Sequence, residues 1–150
     1  MHHCGVVCQH TEDAVTFPDG TRVLASGWFE RRSHEPKPDF GLYLDPAWSP
    51  TWPAVQLDWP DFGVPTDWQT ADTAIRDAFE RARAGQTVEV ACIGGHGRTG
   101  TVLACMAILA GVPPSEAVEW VRAQYCRRAV QEPGQQYWIE RWSERTAGSA

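Results

Sequence analysis

Thr87-Val88-Glu89-Val90-Ala91-Cys92-Ile93-Gly94-Gly95-His96-Gly97-Arg98-Thr99-Gly100 is the stretch on which the architecture turns. Residues 87–91 are β-prone and glycines follow on their C-terminal side, which predicts a buried strand. From Thr99 to Ala110 the chain is mostly apolar, with Val102, Leu103, Met106, Ile108 and Leu109, and Gly111 closes it. That run predicts a buried helix. Between strand and helix, Gly94, Gly95 and Gly97 let successive backbone amides converge on one point as an anion nest. The start of the helix adds the positive end of its dipole. Arg98 brings a planar fork matched to two phosphate oxygens. Cys92 at the rim of such a nest sits where a thiolate is favoured, and the Thr99 hydroxyl can donate to a sulfur there. Nucleophile, oxyanion cradle and charge clamp thus fit within residues 92–99. Taken alone, the loop also fits a glycine-rich turn that binds phosphate, or nothing, with Cys92 as packing.

The composition around it is that of a globular chain. At 150 residues, 43% hydrophobic and with 8 Trp, the sequence is expected to form one compact α/β domain over 1–150. A net charge of −6 argues against a partner held through neutralised phosphates of a nucleic acid. No apolar run approaches the roughly 20 residues of a membrane span, so no membrane partner is expected. Lys37 is the only lysine among the 13 basic residues, a bias that points to a GC-rich, bacterial coding sequence. The N-terminus lacks a basic start followed by an apolar stretch, and the cysteines (Cys4, Cys8, Cys92, Cys105, Cys126) are odd in number. Both features predict a reducing cytoplasm rather than a disulfide framework.

Upstream, Val15-Thr16-Phe17 and Thr21 to Ala25 flank the turn signal Pro18-Asp19-Gly20. Residues 31–53 are irregular apart from a short strand candidate, Gly41 to Leu44, and Val55-Gln56-Leu57 is a second one. From Thr66 or Asp67 the period becomes helical, with Trp68, Ala71, Ile75, Ala78, Phe79 and Ala82 on one face and Gly85 as the stop. Ser115 to Gln124 and Gln135 to Arg145 read as two further helices. Strands first, then strand, loop and helices, predict an α/β class.

Cys-x5-Arg-Thr-Gly resembles the signature loop of cysteine-dependent protein tyrosine and dual-specificity phosphatases. Trp59-Pro60-Asp61-Phe62-Gly63-Val64-Pro65 resembles that family's mobile acid loop, and Gln131-Glu132-Pro133-Gly134-Gln135 resembles its glutamine loop. The three stand in the family's order and span residues 55–142, leaving 1–53 uncovered. The resemblance implies a mostly parallel sheet flanked by helices and a phosphomonoesterase that needs no cofactor or metal. Its substrate would be a phosphorylated protein, phosphotyrosine-type or dual-specificity, or a small phosphomonoester. It implies Cys92 as nucleophile, Arg98 and the backbone of Ile93, Gly94, Gly95, His96 and Gly97 as phosphate cradle, and Thr99 as donor to the sulfur. Asp61 would be the acid, and Gln131, with Gln135 as companion, would orient water. The family's usual His before the nucleophile is here Ala91, and His96 stands where relatives acting on inositol phospholipids often carry a basic residue. A phosphoinositide phosphatase and a binding module without turnover are the alternatives.

The tryptophans Trp28, Trp48, Trp52, Trp59 and Trp68 either line a cleft or, as aromatics usually do, fill the core. Near the start, Cys4, Cys8 and His10, with His2 and His3, are zinc-type ligands at short spacing. No second ligand pair follows, so incidental Cys and His near a terminus is the favoured reading.

Overall fold

The computed structural model describes residues 13–27, 37–45, 50–93 and 96–148. Among the described residues five strands form one sheet: β1 (Asp13–Thr16), β2 (Arg22–Gly27), β3 (Phe40–Tyr43), β4 (Ala54–Gln56) and β5 (Val88–Cys92). Their spatial order is β1-β2-β5-β3-β4; only the β1–β2 pair is antiparallel. The helices are α1 (Trp68–Arg83), α2 (Gly97–Leu109), α3 (Ala117–Gln124), entered through a short 3₁₀ turn at Pro114–Glu116, and α4 (Pro133–Gly148). This is the α/β class the sequence predicts, with β5 at the centre as the resemblance requires.

The central strand is buried on both faces, which is what parallel strands under crossover helices demand. Its register sorts the side chains. Ala25, Val90 and Leu42 line up across β2, β5 and β3 on the face that joins the main apolar core. On the other face lie two rows, Leu24–Glu89–Gly41 and Ser26–Ala91–Tyr43. Glu89 and Ser26 are therefore polar groups in the interior, and both are fully buried.

The helices begin and end by local chemistry. The Asp67 carboxylate accepts from the amides of Gln69 and Thr70 and so caps α1. Gly85, at φ +101°, takes the left-handed turn that stops it. Helix α2 is buried along almost its whole length, which matches its continuous apolar run. Phe17 packs edge-on against Phe79 and stacks on Trp120, joining the β1–β2 turn to α1 and α3. Trp59 is buried and Trp52 and Trp68 are half-buried, so packing rather than cleft lining accounts for most of their area; Trp28 and Trp48 lie outside the described residues.

Gly100 in the first turn of α2 is where the helix meets the 126–131 loop. A Cβ placed there would sit 2.6 Å from the Ala129 Cβ and 2.9 Å from the Val130 amide nitrogen. Gly100→Ala should cost about 1–3 kcal/mol, as overpacking does. It should also push the 129–131 backbone off the helix. A thermal melt beside the wild type reads the first effect; an unchanged melting temperature would show that the loop is not held there.

Candidate active site

Strand β5 ends on Cys92, and the chain crosses Ile93 before α2 starts at Gly97. Cys92 is only 3% exposed, and the buried Thr99, in the first turn of α2, donates its hydroxyl to the sulfur at 3.0 Å. Arg98 is 4% exposed. Its Nη1 donates to the Leu44 carbonyl at 2.8 Å and to the Trp59 carbonyl at 2.9 Å. Its Nη2 lies 3.5 Å from Asp61 Oδ1. With Nη1 occupied by two carbonyls, the Nε–Nη2 edge is the side that remains for a two-pronged bond to an oxyanion.

The Trp59-to-Pro65 stretch folds as a compact turn on this arginine. Trp59 is buried and donates its indole N–H to the Gly63 carbonyl at 2.8 Å, while the Gly63 amide donates to the Pro60 carbonyl at 2.9 Å. Its ring packs on Trp138 of α4 at 5.8 Å. Phe62 takes φ +62°, a left-handed conformation unusual for an aromatic residue. The result is that Asp61 and Phe62 point outward, 60% and 58% exposed. A carboxylate and an aromatic ring thus stand together at the mouth of a buried cation.

The two glutamines converge on the helix start. A Cβ added at Gly97 would fall 2.6 Å from Gln131 Oε1 and 3.1 Å from Gln135 Oε1. Gln135 is fully buried, accepts from the Glu132 amide at 3.3 Å and donates Nε2 to the Gly63 carbonyl at 3.1 Å. It therefore ties α4 to the turn that carries Asp61, a link that spacing alone did not show. Arg122 is a further support that sequence reasoning missed: its Nε and Nη2 each donate at 2.9 Å, to the Ala129 and Val130 carbonyls. Those carbonyls immediately precede Gln131, and Val130 itself has φ +57°. No local sequence signal marks an arginine whose partners are main-chain atoms.

The sequence-derived set is thus brought together at Cys92, Arg98, Thr99, Asp61, Gln131, Gln135 and Gly97, with Ile93 half-buried beside them. Gly94 and Gly95 lie outside the described residues, as do Cys4, Cys8 and His10. His96 turns its Nδ1 toward Cys126 Sγ at 3.5 Å. Cys126 is disulfide-bonded to a cysteine outside the described residues, whereas Cys92 and Cys105 carry no disulfide. That bond departs from the expectation of wholly reduced cysteines. Among the described residues no cluster of His, Cys, Asp or Glu has the composition of a metal site, and no helix is long and apolar enough to cross a membrane.

A buried cysteine and arginine share one strand–loop–helix turn, and an exposed aspartate lies 3.5 Å from the arginine. The family model for the Swiss Army Knife protein, DSP-PTPase phosphatase domain, matches residues 47–136, and the chain belongs to that family. Uncharacterized protein MJECL20 of the archaeon Methanocaldococcus jannaschii is 32% identical over 142 residues, covering 88% of this chain and 92% of that one. Among solved structures, Tk-PTP in its active form superimposes with TM-score 0.63 at 25% identity, over 72% of this chain and 80% of that chain. A single-residue variant of human DUSP28 superimposes with TM-score 0.73 at 13% identity, over 91% and 98% of the two chains. PTPMT1 in complex with PI(5)P gives 0.66 at 20% identity, over 85% and 94%. The relatives found in sequence are archaeal, where lysine-poor composition had suggested a bacterial source.

The two thiols that carry no disulfide should separate chemically. Burial pushes the Cys105 thiol well above its ordinary value, and the nearby Asp72 charge adds to that while Arg76 opposes it. Iodoacetate on the native protein should therefore modify Cys92 and leave Cys105 intact, with inorganic phosphate slowing the reaction. Peptide mapping checks it; alkylation of Cys105 at a comparable rate would contradict this arrangement.

Proposed function

We propose that the protein hydrolyses phosphomonoesters through a phosphocysteine intermediate, with phosphotyrosine-type or dual-specificity protein substrates as its main class. The observation that carries this is the anchored Arg98: two carbonyls fix one nitrogen and leave the other edge of the fork for an oxyanion, on the same strand–loop–helix turn as a cysteine hydrogen-bonded by Thr99. Cys92 Sγ attacks phosphorus, the S–P bond forms and the bond to the ester oxygen breaks. Arg98 and the backbone amides of 93–98 hold the equatorial oxygens as their charge builds. Asp61 gives its proton to the leaving oxygen. In the second half-reaction water attacks phosphorus, Asp61 takes a proton from it, and the S–P bond breaks to release phosphate. The Thr99 hydroxyl stabilises the departing sulfur, and Gln131 orients the water, with Gln135 holding the Asp61 turn against the glutamine loop.

Two observations support an aryl ester over a polyanionic lipid headgroup. Phe62, the residue after Asp61, is 58% exposed and offers an aromatic ring to a leaving phenol. His96, which a more anionic substrate would engage, has its Nδ1 directed at Cys126. A binding module without turnover would need neither Cys92 nor Asp61. A cytoplasmic location belongs to the same proposal and rests on the sequence alone.

Cys92→Ser should abolish turnover of p-nitrophenyl phosphate while keeping affinity for phosphate analogues, because Arg98 and the cradle survive. Retention of most of the activity would sink the covalent route. Asp61→Ala should lower kcat roughly 10²–10⁴-fold with little change in KM, the usual range for a lost general acid. The loss should shrink for esters whose leaving groups need less protonation. An equal loss across aryl phosphates of high and low leaving-group basicity would remove Asp61 from the acid role. A phosphopeptide and phosphoinositide panel then reads the substrate class, and faster turnover of phosphoinositides would overturn the aryl preference.

A further inference from the structure

On the sheet face opposite the main core, a carboxylate lies within β5 itself. Glu89 is fully buried, three residues before Cys92, and the phosphocysteine route makes no use of it. Its Oε2 bonds Ser26 Oγ of β2 at 2.8 Å, and its Oε1 accepts from the Tyr43 hydroxyl of β3 at 2.7 Å. The Trp52 indole donates to that same hydroxyl at 2.8 Å. An indole N–H only donates, so the Tyr43 oxygen accepts there and its single proton is directed at Glu89. The chain from Trp52 through Tyr43 to Glu89 therefore has a defined polarity.

The strand register explains the residues around this chain. Ser26 and Tyr43 are the Cα partners of Ala91 on its two sides, and both bond the carboxylate of Glu89, two residues earlier on β5. The Tyr43 ring in turn lies over Gly41; a Cβ at that position would run into the ring. Glutamate, tyrosine and glycine thus fit one another across these two rows.

The position of Tyr43 gives the network its consequence. It is the last residue of β3, and the ladder closes with the Leu44 amide on the Ala91 carbonyl at 2.9 Å. The next main-chain oxygen, that of Leu44, is the one that accepts from Arg98 Nη1. We infer that the Glu89–Tyr43 hydrogen bond is a positioning device for Arg98: it ties the end of β3 to β5 and so sets the Leu44 carbonyl that aims the guanidinium. This rests on the reading of Arg98 as the phosphate clamp. Ser26 makes an equally buried bond to the same carboxylate but on β2, whereas the carbonyls that hold Arg98 come from Leu44 and Trp59.

That asymmetry supplies the test. Tyr43→Phe deletes one oxygen and keeps the ring over Gly41. With p-nitrophenyl phosphate it should lower kcat/KM roughly three- to tenfold, a range common for coupled neighbours. The inhibition constant of inorganic phosphate should weaken in parallel, since Arg98 touches the bound anion. Ser26→Ala should lower the melting temperature by a similar amount yet leave kcat/KM within about twofold. In an Arg98→Ala background, Tyr43→Phe should change the residual kcat/KM by less than about twofold. Equal losses in both backgrounds, or a Ser26→Ala loss as large as that of Tyr43→Phe, would overturn the inference, because the effect would then be general loosening. Unchanged kcat/KM in both Tyr43→Phe and Trp52→Phe would overturn it as well. Arg98→Ala with near-wild-type turnover would instead overturn the clamp reading itself, so the two failures are distinct.

Discussion

A guanidinium buried to 4% exposure is the constraint around which the rest is arranged. Taking a cation out of water costs several kcal/mol, and that cost must be offset by partners with good geometry. Arg98 finds two main-chain carbonyls and, at 3.5 Å, the edge of an exposed carboxylate. These satisfy part of its donor set and neutralise little of its charge. The site is therefore built to be completed by an anion, and a phosphate monoester brings both the charge and the paired oxygens.

Because its carbonyl partners come from different segments, Arg98 also joins them. Leu44 belongs to the end of β3, Trp59 to the turn that carries Asp61, and Arg98 itself to α2. The Gly63 carbonyl is a second junction, accepting from the Trp59 indole and from the Gln135 amide. Through it α4 and the Asp61 turn are held as one unit. Small residues make these approaches possible: Gly97 lies under both glutamines, and Gly100 lies under Ala129. Catalytic placement here is a packing problem as much as an electrostatic one.

What the sequence showed follows from where the information resides. The strand 87–91, the glycine loop and the apolar run after it are local patterns, and each matches an element within a residue or two. Cys92, Arg98, Asp61, Gln131 and Gln135 stand out in the sequence because their side-chain chemistry and tight spacing mark them. The anchors of Arg98 do not, since a carbonyl of Leu44 or Trp59 leaves no mark on residue identity. Arg122 was missed for the same reason. Glu89 was passed over because an isolated glutamate in a strand ordinarily reads as a solvent-facing position. Its partners are 63 and 46 residues away in sequence, and only the register brings Ser26 and Tyr43 to it. Ala91, where the family usually has a histidine, is fully buried between Ser26 and Tyr43 on the face that holds this network.

In the proposed reaction the phosphoryl group of the ester held by Arg98 is transferred to Cys92. The most direct measurement is an acid quench of the native enzyme during turnover of an aryl phosphate, followed by peptide mapping at low pH. The account predicts a phosphoryl group on the peptide that carries Cys92, absent from Cys92→Ser. Steady turnover with Cys92 unmodified, or with the phosphoryl group on His96, would contradict it.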